Sequence, residues 1–91
     1  MLCKLVVCKD YQQVRNYLDN LSKTSNLPWG INVRYCSAKF EDNFIQCVVI
    51  KTLEDIRGTG MQFNSIEFLT SVPQDVLLYV MSRLRCIHTW P

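Results

Sequence analysis

Histidine occurs once in these 91 residues, at position 88, and glycine only three times, at 30, 58 and 60. A single imidazole leaves little from which to build a His-based metal centre. It also leaves Cys86 as the one thiol close to a base in sequence, and that residue follows a helix end. The five cysteines, at 3, 8, 36, 47 and 86, include no C-x-x-C pair, so the paired spacing of a structural zinc site is missing. They read as reduced thiols of a cytoplasmic protein. The glycines do not form a G-x-x-x-x-G-K-[ST] loop, which removes the usual phosphate cradle. Ten Lys and Arg against eight Asp and Glu give a formal charge of +2. That surplus is too small to draw the chain to nucleic acid or a membrane, and its sign argues against an acidic DNA mimic. Long apolar runs are absent too. Lys4 interrupts the first one and Lys9 and Asp10 end it, which suits neither a leader sequence nor a membrane span. No catalytic, metal or cofactor-binding residue is expected, and no cofactor.

What remains is the composition of a folded domain. Hydrophobic residues make up 48% and charged residues 20%, enough apolar surface to offset chain entropy in one domain spanning 1–91. Met1 to Cys8, rich in Leu, Val and Cys, reads as a strand buried on both sides or central in a sheet. Asp10 offers a helix N-cap with Gln13 three residues on. Tyr11, Val14, Tyr17, Leu18 and Leu21 then recur at helical spacing, predicting a helix from about Tyr11 to Lys23. Arg15 and Asp19 lie four apart on its outer side. The segment TSNLPWG is a connecting loop in which Trp29 caps the core. Alternation from Ile31 to Phe40 predicts a half-buried strand, and Glu41, Asp42 and Asn43 a turn into an antiparallel partner from Phe44 to Thr52. Gly58 and Gly60 allow a tight turn before a fourth strand, Met61 to Leu69, with Met61, Phe63, Ser65, Glu67 and Leu69 on one face.

The last helix carries the most local signals. Ser71 and Gln74 match a capping box, Pro73 suits the first turn, Asp75 lies near the positive dipole end, and Arg83 and Arg85 lie near the negative end. Val76, Leu77, Val80, Met81 and Leu84 form its expected buried stripe, packed on the same sheet face as the first helix. The fold expected is therefore α+β in the order βαβββα: two layers, with a mixed, mostly antiparallel four-stranded sheet and both helices on one face. If the first strand and the 31–40 strand are parallel neighbours, the first helix forms a right-handed crossover.

Glu41 with Asp42 and Glu54 with Asp55 fall in turns, where adjacent solvated carboxylates are poor acid–base pairs. Glu67 interrupts an apolar strand and so calls for a cationic partner on a neighbouring strand. The turn from Arg57 to Gly60 could bind an anion through backbone N–H groups and the guanidinium, although no helix follows it directly.

In pattern, the chain resembles a segment of the ATPase core of phage terminase large subunits and related P-loop NTPases. KLVVCKDYQQVRNYLDNL, SAKFEDNFIQCVVI, LEDIRGTGMQFNSIEFL and VPQDVLLYVMSRLR follow that family's order of strand, crossover helix, hairpin, RG turn, Walker B strand and helix. The Walker A loop is absent, and Leu69 and Thr70 stand where the acidic pair would be. Glu67 lies within the strand, away from the magnesium-binding position. The resemblance implies a remnant or mimic that has lost hydrolysis.

Size, near-neutral charge and lack of a site together predict a small non-catalytic protein, viral or phage-encoded, that binds another protein. Trp29, Tyr79 and Trp90 are its expected contact residues. An exposed edge of the first or fourth strand could instead add a strand to a partner or make a homodimer. The alternative is a nucleic-acid or nucleotide-binding module. It would use Arg34, Lys39, Lys51 and Arg57, with Tyr35 and Phe40 nearby for stacking.

Overall fold

The computed structural model describes residues 2–52, 55 and 63–84. The turn at 57–60 with Arg57, and also Arg85, Cys86, His88 and Trp90, lie outside the described residues. The elements are β1 (Leu2–Cys8), α1 (Tyr11–Thr24), β2 (Gly30–Asn32), β3 (Ser37–Phe40), β4 (Asn43–Val49), β5 (Ser65–Phe68) and α2 (Gln74–Ser82). The strands form one mixed sheet in the order β2-β3-β4-β1-β5.

β1 occupies the position its composition predicts. It pairs in parallel with β4, Leu2 opposite Asn43 through Cys8 opposite Val49, and with β5, Lys4 opposite Ser65 through Val7 opposite Phe68. Leu5, Val6, Val7 and Cys8 are all buried. Because successive side chains of a strand point to opposite faces, a fully buried run needs cover on both. Leu5 and Val7 pack with Ile50, Phe63, Val76 and Val80 beneath α2. Val6 and Cys8 pack with Val14, Leu18, Ala38, Ile45 and Cys47 beneath α1.

The molecule is thus α+β, with a five-stranded open sheet and one helix on each face. Three expectations are corrected here. The helices do not share a face, so there are three layers rather than two. The sheet has two parallel and two antiparallel pairings rather than a mostly antiparallel pattern. The 31–40 segment is not a single strand either. It divides into β2 and β3, which pair antiparallel with Ile31 opposite Ala38. The turn between them is closed by Cys36 N–H donating to the Val33 carbonyl at 3.2 Å, and Cys36 has φ 55°. The expected hairpin into the next strand is present as β3 and β4, with Ala38 opposite Ile45. After α1 the chain reaches β4 as its parallel neighbour of β1, and β3 lies one strand further out.

The α1 N-terminus forms as its sequence dictates. The Asp10 carboxylate accepts from Gln13 N–H at 2.8 Å, and the Gln13 side-chain oxygen accepts from Lys9 N–H at 2.8 Å. Val14 and Leu18 are buried, Tyr17 and Leu21 pack against the same cluster, and Tyr11 is exposed rather than part of the apolar face. Asp19 pairs with Lys23, 3.7 Å away, instead of Arg15.

α2 departs further from expectation. Its N-cap residue is Pro73 and no side chain caps the helix, so the Ser71–Gln74 capping box does not form; Asp75 accepts from Val76 N–H at 2.8 Å. Of the expected stripe, Val76 and Val80 are buried, whereas Leu77, Met81 and Leu84 are exposed. The alternation expected across Met61 to Leu69 also breaks. Phe63 belongs to the cluster beneath α2, as do Ile66 and Phe68, while Leu69 packs on the α1 side. Asn64 lies at the break, exchanging hydrogen bonds with Cys3: its N–H donates to the Cys3 carbonyl at 2.8 Å and its side-chain oxygen accepts from Cys3 N–H at 2.8 Å.

Candidate functional site

In open sheets with parallel strands, ligands commonly bind where adjacent strands end and their connections leave on opposite faces. Here that place lies between the C-terminal ends of β1 and β5, since α1 follows one and α2 the other. Its polar groups are engaged in holding the backbone. Asp10 caps α1, and Gln13 links Lys9 N–H to the Leu69 carbonyl, donating to the latter at 3.1 Å. Beyond β4, Asp55 accepts from Lys51 N–H at 2.7 Å and Thr52 N–H at 2.9 Å, and these bonds hold its carboxyl below the ordinary value. Among the described residues, no group of three or more His, Cys, Asp or Glu is placed to hold a metal ion.

Glu67 finds the cation its strand position demands. Lys4 on β1 lies 2.6 Å from its carboxylate, and that bond is the main reason the Lys4 pKa is raised. Tyr17 of α1 interacts with the same pair, and burial raises its phenol. The two charged side chains remain 36% and 39% exposed, so water screens the pair.

The expected contact aromatics are separated. Trp29 is half-buried on the α1 side, its ring centroid 5.8 Å from that of Phe40, with Nε1 donating to Ser25 Oγ at 3.1 Å. Tyr79 is half-buried on the α2 side, where its hydroxyl accepts from Arg83 Nη2 at 3.0 Å. The sheet thus lies between them. β1, expected as a possible edge, is paired on both sides; β5 stands at the end of the strand order.

The apolar surface that sequence reasoning missed lies on α2. Leu77, Leu78 and Met81 are exposed together, with Leu78 reaching 62%, and Leu84, just past the helix C-cap, is exposed as well. At 100° per residue Leu77, Met81 and Leu78 form one continuous arc beside the buried Val76 and Val80. A groove of about 550 Å³ adjoins it, lined by Phe68, Leu69, Thr70, Ser71, Val72 and Leu77. The signal was present in the sequence, since α2 carries more large apolar residues than one sheet face can cover.

Among the described residues, the expected cationic positions do not form one patch. Arg34 lies in the β2–β3 turn and Lys51 follows β4, both toward the C-terminal end of β4, whereas Lys39 lies opposite Phe44 toward its start. Arg34 instead stacks on the exposed Tyr35 at 5.8 Å and joins Tyr11, Val14, Arg15, Val33 and Cys36 around a second groove, of about 220 Å³. Arg15 and Tyr11 of that groove were not anticipated.

These features define a small α+β domain with a five-stranded mixed sheet and a helix on each face. No protein-family model, curated protein or solved structure matches the chain. No helix among the described residues is long and apolar enough to cross a membrane.

Proposed function

We propose that this chain is a small non-catalytic interaction domain that binds another protein through the outer surface of α2. The observation that carries the reading is the exposure of Leu77, Leu78 and Met81 on one helix, with Leu84 exposed just beyond its C-cap, next to a groove lined by Phe68, Leu69, Val72 and Leu77. Grouped large apolar side chains on a domain surface characteristically mark interaction sites. Trp29 and Tyr79 pack on opposite sides of the sheet and act chiefly as supports for it. The terminase-like order of elements suits a viral or phage accessory protein that has kept a fold pattern without the hydrolytic residues.

The test compares wild type with Leu78→Asp and Met81→Asp, after confirming that each variant keeps its far-UV spectrum and thermal transition. Tagged protein is incubated in lysate treated with nuclease and washed at high salt. One stoichiometric protein held by wild type and released by both variants is the expected result. Equal retention by wild type and variants would overturn the assignment to α2.

A second reading, a single-stranded nucleic-acid binder, is favoured by the groove of Tyr11, Arg15 and Arg34, with Tyr35 stacked against Arg34, where aromatic faces and guanidiniums occur together. It requires binding to a labelled oligonucleotide that weakens steeply with salt and is lost in Arg34→Ala.

A further inference from the structure

Three thiols meet beneath α1. Cys8 ends β1, Cys47 lies on β4, and Cys36 immediately precedes β3; all three pack in the same cluster. Their positions in the sheet distinguish them. Ser37 pairs with Gln46, so Cys36 stands directly across from Cys47, and Cys47 N–H donates to the Cys36 carbonyl at 2.8 Å. A regular pair with both bonds exchanged has Cα atoms about 5.5 Å apart, the commonest separation in disulfides; here Cys36 sits at the end of that ladder, making one of the two bonds and giving its own N–H to the Val33 carbonyl. Cys8 is opposite Val49, two positions along from the Val6–Cys47 pair. The Cys8 and Cys47 thiols share a hydrogen bond, and both are buried, so neither is the first thiol a reagent from solvent would meet. Cys36 alone of the three is partly accessible, and it lines the groove that also holds Arg15 and Arg34.

We propose that Cys36 and Cys47 form a reversible disulfide switch set by a hydroperoxide. The peroxide enters the groove, and the Cys36 sulfur attacks its terminal oxygen. The O–O bond breaks, and the Cys36 thiol proton passes to the leaving oxygen. Cys36 becomes a sulfenic acid, oxidised by two electrons, and the peroxide is reduced to the alcohol, or to water from hydrogen peroxide. Guanidinium donors at Arg15 and Arg34, in the same groove, favour charge developing on the departing oxygen. The Cys47 sulfur then attacks the Cys36 sulfur. The S–S bond forms, the S–O bond breaks, and hydroxide leaves with the Cys47 proton as water. A small-molecule thiol restores both thiols by exchange. The bridge fastens the β2–β3 turn to the sheet interior and removes Cys36 from the groove, independently of whatever binds α2.

The full-length chain is treated natively with hydrogen peroxide, its remaining thiols are alkylated in denaturant, and its peptides are mapped by mass. The expected product lacks two hydrogens and carries a Cys36–Cys47 bridge that dithiothreitol reverses. Cys36→Ser abolishes the bridge, and Cys47→Ala, checked for a native far-UV spectrum, leaves Cys36 as a sulfenic acid trapped by dimedone. Absence of the bridge, a bridge between any other pair, or a bridge formed only in denaturant would overturn the proposal.

Discussion

Gln13 ties Lys9 to Leu69: its side-chain oxygen accepts from Lys9 N–H at 2.8 Å and its amide donates to the Leu69 carbonyl at 3.1 Å. One side chain at the start of α1 therefore joins the chain leaving β1 to the chain leaving β5.

Replacing Gln13 by Ala strips both groups of their partner, and the variant should lose about 1 kcal/mol. Gln13→Glu separates the two bonds, since a carboxylate still accepts from Lys9 N–H but repels the Leu69 carbonyl. Urea denaturation should place Gln13→Glu at or below Gln13→Ala. Wild-type stability in both would show the link to be unimportant.

Phe63 and Leu78 lie on opposite sides of the core boundary, 1% and 62% exposed. Phe63→Ala should cost about 3–5 kcal/mol through lost burial and the cavity left among Leu5, Val7, Val76 and Val80. For a domain with about 5–15 kcal/mol in hand, that brings the chain near unfolding at ambient temperature. Leu78→Ala should change stability by less than about 0.5 kcal/mol. Thermal melts of the two variants side by side decide this.

Burial pushes the Cys8 thiol up to about 11 and the Cys47 thiol up to about 12, from an ordinary value of 9.0. In the unfolded chain these thiols release protons near their ordinary value, while the folded chain still holds them. The unfolded state therefore binds fewer protons across this window, and stability must fall as pH rises from 9 towards 11–12. Tyr17, raised by burial, adds to the same trend above its ordinary 10.0. Denaturation midpoints under reducing conditions should decline through this range. Cys47→Ala should flatten the decline, and an unchanged slope would sink the argument.

The Lys4–Glu67 contact acts in the same direction but weakly. Lys4 has its pKa raised by the bond to Glu67, so the pair's contribution is complete below the ordinary Lys value of 10.5 and is lost as pH rises through the folded value. With both side chains more than a third exposed, a double-mutant cycle of Lys4→Met and Glu67→Gln should give a coupling below about 1 kcal/mol, reduced further by salt.

Local chemistry made α1 legible: Asp10, Gln13, Val14 and Leu18 act as their spacing predicts. The apolar run from Leu5 to Cys8 in β1 also announced a strand buried on both faces, and that property already required helices on both sides. Two amphipathic helices look alike from sequence, so their faces were merged into one. The β2–β3 turn was hidden because alternation continues through Val33, Arg34 and Tyr35, and Cys36 takes its positive φ without a glycine to mark it. α2 misled in another way. Its stripe fits a helix period, but only Val76 and Val80 meet the sheet, and periodicity does not report how wide a face the rest of the fold can cover. The Cys36–Cys47 juxtaposition depends on register across a turn the sequence did not show, and so was not visible in residue spacing.

The place of β1 in the middle of the sheet also sets an order of events during synthesis. β1 leaves the ribosome before any of its partners exist, and its bond to Asn64 spans 61 residues. Until β4 and β5 have been made, an apolar strand with two unpaired edges must wait, and loop closure of that span slows its capture. Truncation before β5 should therefore produce a sticky nascent chain that calls on chaperones, rather than a smaller stable domain.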